Sequence, residues 1–180
     1  MSTNPIQVAE RDELLELLKS SEGRYMSTVA GLSEQSAQAR LSQDSWSILE
    51  ITEHVAVAEH GMSRMLELTP DGVIATPDAV MEAQIRTLSV DRTKKVKSPD
   101  VALPKGRWKT LAEALQAFRA SRAKTMAMVQ SVPNLRMRSM QHPLLGKLDG
   151  YQLILLMAGH CERHALQVEE IKQKRVTEAS

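Results

Sequence analysis

Aromatic residues are scarce: one Phe, two Tyr and two Trp in 180 residues. A chain this poor in rings lacks the stacking platforms that hold single-stranded nucleic acid. The single cysteine excludes an internal disulfide and fits a reducing compartment. No apolar run approaches the ~18 residues of a membrane-spanning helix; the longest, around Leu153–Ala158, is far shorter. The start, Met-Ser-Thr-Asn-Pro, has neither the basic n-region nor the apolar h-region of a secretory signal. These absences predict a cytoplasmic protein with neither a membrane nor a nucleic acid as its partner.

What is present suits a globular fold. Hydrophobic residues make up 42% and charged residues 25% of the chain, ordinary values for a folded domain. The length fits one domain over 1–180, large enough for its own core. The net charge of +1 hides an asymmetry: residues 1–90 hold six Lys/Arg and fourteen Asp/Glu, whereas residues 91–180 hold seventeen and eight. The simpler reading is that acidic and basic helices pack side by side. A basic surface for an anionic ligand is the alternative.

Apolar residues recur with helical spacing, and no convincing strand-like alternation occurs. The pattern predicts an all-α four-helix bundle with helices at roughly 5–30, 46–68, 110–131 and 149–174. In helix one, Leu14, Leu18, Tyr25 and Val29 form the apolar stripe. Helix two starts near Trp46, with Ser47 and Glu50 as a capping box, and ends before Thr69-Pro70-Asp71-Gly72. A short extra helix follows over about Pro77–Leu88. Residues 89–109 carry seven Lys/Arg against Asp91 and Asp100 and read as a long, solvated basic loop. Helix three opens with a second capping box, Thr110 and Glu113, and breaks at Val132-Pro133-Asn134. Residues 134–148 read as a loop, and Asp149 as the N-cap of helix four.

Three of the five histidines carry the chemical signal. At about 100° per residue, His160 and His164 fall within about 20° of the centre of helix four's apolar face, set by Leu153, Met157 and Ile171. Their i, i+4 spacing lets one helix face chelate one metal ion. Two satisfied core histidines are the alternative. Each unpaired buried imidazole would otherwise cost roughly 1–3 kcal/mol. For a third ligand, His54 lies about 75° from the centre of helix two's stripe, at the edge of the buried face. His60 points to solvent, His142 sits in a loop of unread direction, and Cys161 reads as a packing residue.

The stretch Trp46-Ser47-Ile48-Leu49-Glu50-Ile51-Thr52-Glu53-His54 resembles the W-S-x-x-E-x-x-x-H signature of DinB-like proteins. Gly159-His160-Cys161-Glu162-Arg163-His164, with Gln167 beyond it, resembles that family's H-x-x-x-H helix. The preceding His142-Pro143…Gly146 loop fits as well. The resemblance implies a four-helix bundle, often dimeric, with a divalent metal on His54, His160 and His164. It also implies one of several activities, among them thiol-dependent S-transferase, thiol-dependent isomerase and metal hydrolase.

Three imidazoles leave a divalent metal with an open position. Zinc or nickel is expected there, with iron or manganese as alternatives, because three nitrogens discriminate poorly among them. Such a site activates water for hydrolysis, or a low-molecular-weight thiol for transfer to a small electrophile. A non-catalytic metal-binding or stress-related bundle is the other class of function. Two further residues are catalytic candidates. Glu50, one turn before His54, is a candidate base, although its capping role suffices to explain it. Arg122 lies amid Leu111, Leu115, Phe118 and Val129 on helix three's apolar face. It is a candidate anion hook, unless a glutamate of helix two pairs with it. Arg163 reads as a salt-bridge partner in helix packing.

Overall fold

The computed structural model describes residues 5–178. Four long helices form the bundle: α1 (Pro5–Val29), α3 (Ile48–Leu68), α5 (Leu111–Ser131) and α6 (Gly150–Glu178). Between them lie two short helices, α2 (Glu34–Gln38) and α4 (Ala79–Leu88), and a hairpin of β1 (Ser139–His142) and β2 (Gly146–Asp149). Single 3-10 turns occupy Asp100–Ala102 and Leu135–Met137. Among the described residues, no helix is long and apolar enough to cross a membrane.

The helix starts are written locally. Ser47 Oγ accepts from the Glu50 N–H while Glu50 accepts from the Ser47 N–H, and Thr110 and Glu113 repeat the arrangement on α5. Because Ser47 takes the extended N-cap position, α3 begins at Ile48 rather than near Trp46. Asp149 and Gln152 exchange side-chain-to-backbone bonds at the start of α6, which satisfies amides that the first helical turn leaves free.

Around the bundle, α1 packs on α6, α6 on α3, α3 on α5 and α5 on α1, with α4 outside against α6. The α1 stripe of Leu14, Leu18, Tyr25 and Val29 is buried as its spacing predicts. The core falls into two apolar clusters. One gathers Leu14, Leu18, Leu66, Val129 and the Leu153–Ala158 stretch of α6. The other gathers Tyr25, Ile48, Ile51, Val55, Phe118, Cys161, Ala165 and Val168. At the level between them, Arg122 donates to both carboxylate oxygens of Glu59 at 2.8 and 3.0 Å, and to Ser21 and the Leu18 carbonyl.

Two segments differ from their sequence readings. Residues 134–148 contain the antiparallel hairpin, in which Met140 pairs with Leu148, both buried. Four-residue strands are too short to show a period of two. Gly146, at φ +75°, closes the turn in a backbone region that favours glycine. Residues 89–109 are not a free solvated loop. The lysine side chains 94, 95, 97, 105 and 109 are exposed, but the backbone is fastened to α3. Glu53, itself buried, accepts from the N–H groups of Lys105, Gly106 and Arg107 and from the Arg107 guanidinium. Counting charge registers the lysines and misses the anchor.

Candidate metal centre

α3 and α6 bring the three histidines together. His160 Nε2 lies 3.1 Å from His54 Nε2 and 3.1 Å from His164 Nε2. One ring nitrogen from each of the three falls within 4.8 Å of the others. His54 and His164 are buried, and His160 is the most exposed of the trio. The Trp46 ring lies 5.1 Å from that of His54 and covers its outer side.

The outward nitrogens fix what the inward ones present. His54 Nδ1 sits 2.7 Å from the Ala102 carbonyl oxygen, which can only accept. His164 Nδ1 sits 2.8 Å from Gln167 Oε1. In each neutral ring the single proton therefore sits on Nδ1, and Nε2 turns a lone pair inward. His160 can donate to one of these lone pairs but not to both. The centre is thus rich in lone pairs and short of protons, a donor set that fits a cation. Nitrogens about 2.0–2.1 Å from a tetrahedral ion stand roughly 3.3 Å apart, close to the spacing seen. Outward acceptors on Nδ1 are the usual second layer of histidine metal sites.

Burial also keeps the rings neutral. Desolvation lowers the His54 pKa below its ordinary value. Desolvation, reinforced by the neighbouring imidazoles, holds His160 and His164 well below it. All three are unprotonated near neutrality, as ligation requires.

The remaining sequence candidates are held by other partners. Glu50 keeps its capping bonds and adds an ion pair with Arg40. Burial raises its pKa, but these partners more than offset that and leave it below the ordinary carboxylate range. Arg122 pairs with Glu59 of α3, fully buried. His60 is exposed. His142 Nδ1 accepts from the N–H groups of Leu144 and Leu145 in the hairpin turn. Cys161 is a buried packing residue whose thiol, pushed up by burial to a pKa of about 12, donates to the Ser21 carbonyl. Among the described residues Arg163 has no ion-pair partner; its Nη2 donates to the Lys94 carbonyl at 2.7 Å. The expected salt bridge is replaced by a backbone contact because the 89–109 segment, not another helix, covers that side of α6.

Sequence reasoning missed the groups that hold the ligands. The Ala102 carbonyl carries no side-chain signal, and Glu53 reads as one more surface acid. Gln167 was visible, three residues after His164 and within reach of its ring along the helix.

Fold and site together define a four-helix bundle with a three-histidine centre shared between two facing helices. The chain belongs to the DinB superfamily, whose sequence pattern matches residues 11–168. It is 26% identical over 145 residues to the uncharacterized protein YuaE of Bacillus subtilis (strain 168), covering 80% of this chain and 88% of that one. Its fold is similar to that of YfiT from Bacillus subtilis, described as a probable metal-dependent hydrolase with an unusual four-helix bundle topology. That match has a TM-score of 0.62 at 11% identity over 92% of this chain and 87% of the other. The four-helix bundle protein TT2238 matches with a TM-score of 0.58 at 19% identity, covering 88% of this chain and 96% of that chain.

Proposed function

We propose that this protein is a metal-dependent hydrolase of a small-molecule substrate, with a divalent ion on His54, His160 and His164. The observation that carries the reading is the convergence of three Nε2 atoms, two of them bound to present lone pairs by the Ala102 carbonyl and Gln167. The likeness to YfiT supports it at the level of the fold. A divalent cation held this way supplies Lewis acidity and lowers the pKa of a bound water. The chain's own part is to orient the rings, keep them neutral and exclude bulk water on all sides but that of His160.

Hydrolysis is preferred to thiol transfer on the likeness to YfiT, which is described as a probable metal-dependent hydrolase. The chain's own thiol, Cys161, is buried and stays protonated. Association into a dimer, expected from the family resemblance, is part of the same proposal and is read by light scattering.

The test starts with elemental analysis of the purified protein, where about one divalent ion per chain is expected. A panel of activated esters and amides follows, with metal-loaded and chelated protein, with and without a soluble thiol. Metal-dependent turnover without thiol supports hydrolysis. Turnover only with thiol moves the assignment to thiol transfer, and metal uptake without turnover on any substrate favours a non-catalytic bundle.

A further inference from the structure

Among the described residues, two buried side-chain polar atoms have no hydrogen-bond partner: Ser89 Oγ and Arg163 Nη1. Ser89 lies against α6 at Gly159, and Arg163 stands one turn further along the same helix. Ser89, which caps the C-terminus of α4, lies directly over Gly159; a Cβ placed on Gly159 would collide with Ser89 Oγ. Arg163 follows Gly159 by four residues and His160 by three, so on the surface of α6 it lies between the two and neighbours each.

The arginine is anomalous within its own protein. Three arginines are buried: Arg122, Arg136 and Arg163. Arg122 holds Glu59, and Arg136 holds Glu10, Glu82 and Asp149. Arg163 holds no carboxylate and ends on one backbone carbonyl. The nearby acids are engaged elsewhere: Glu170 takes both bonds of Arg92, and Asp91 accepts from Thr93. A buried cation without an anion is costly, and such local violations concentrate at functional sites.

We propose that Arg163 Nη1 and Ser89 Oγ form a carboxylate-binding subsite beside the three histidines, which takes the acid group of a small organic acid. A guanidinium N–H and a hydroxyl are both donors, and a carboxylate oxygen offers the acceptors they lack. Gly159 is part of the device, since a side chain there would push Ser89 away. The position of Arg163 one turn from His160 sets the reacting end of the same molecule toward the metal. Only that last step rests on the hydrolase reading.

The experiment is an amide-resolved NMR titration of the full chain, metal-stripped and zinc-loaded, with butyrate and with its neutral counterpart butyramide. Butyrate should shift the amides of Ser89, Gly159 and Arg163 in both forms, and butyramide should bind about tenfold more weakly. Arg163→Gln should weaken butyrate about tenfold, and Ser89→Ala and Gly159→Ala by several-fold each. Shifts elsewhere, equal binding of butyramide, or an Arg163→Gln protein that binds like the wild type would overturn the proposal. The wild-type shift map decides the question even if that variant does not fold. Butyrate binding in a protein that takes up no metal would sink the hydrolase reading and leave the subsite standing.

Discussion

The partners of the ring nitrogens separate the five histidines. His160→Ala removes the nitrogen common to both 3.1 Å contacts and should drop bound metal from about one ion per chain to near zero. His60→Ala, on the exposed side of α3, should leave it unchanged. Gln167→Leu keeps every ligand but strips the acceptor from His164 Nδ1. Metal affinity, read by chelator competition, should weaken about 10–100-fold. The buried Arg122–Glu59 pair has a structural role. Arg122→Ala leaves Glu59 charged and buried, and should cost about 3–5 kcal/mol in denaturant unfolding. Arg119→Ala, whose side chain is 65% exposed, should cost little. His160 and His164 were legible in the sequence because one helix fixes both their spacing and their face. Arg122's need for an anion was legible too, but not that Glu59 supplies it, since a helical wheel does not give the relative height of two helices. His54 read as an edge residue because its cover comes from a segment some fifty residues away in sequence, which no periodicity reports.

That segment is the element with most influence on the site. Residues 98–107 reach α3 through one carboxylate, Glu53, and deliver the Ala102 carbonyl to His54. Burial raises the Glu53 pKa, but the backbone N–H donors and Arg107 outweigh it and hold the carboxyl below its ordinary value. Glu53→Ala should therefore free the segment without touching a ligand. Amide exchange at Lys105, Gly106 and Arg107 should speed up, and metal affinity should fall together with it. Unchanged metal affinity beside faster exchange would show that His54 needs no help from Ala102. The long helices were legible because capping boxes and apolar stripes are local. The five-residue α2 and the four-residue strands were not, because fewer than two helical turns or two strand alternations repeat too little to show a pattern.

At the scale of the whole molecule, the charge asymmetry of the two chain halves resolves into contacts. Arginines 107, 119, 122, 136 and 138 of the second half pair with acids of the first. This is the side-by-side packing that the simpler reading of the asymmetry expected. The bundle has two apolar clusters of its own, so it should fold without metal and gain from it. Free ion at about 100 times its dissociation constant should add roughly 2.7 kcal/mol, a melting shift on the order of 5 °C for a domain of this size. Complete unfolding on chelation would contradict the independent core. The chelated protein should keep a pH dependence of its own. Above about pH 6.5 the imidazoles are neutral in folded and unfolded chains alike. Below it, the unfolded chain binds protons that the buried rings, with their lowered pKa values, refuse. Stability therefore falls as pH drops through 6 toward 5. Thermal melts of the chelated protein across that range check the sign, and a His160→Ala/His164→Ala variant should flatten the slope.

His54 and His160 stand 106 positions apart. At about 5–20 residues per second of synthesis, roughly 5–20 seconds separate the appearance of the first ligand from that of the other two. During that interval a nascent chain holds only one of the three imidazoles of the centre, His54. The centre is therefore assembled last, and under the proposed function an ion would be selected by a nearly finished protein from whatever the surroundings then supply.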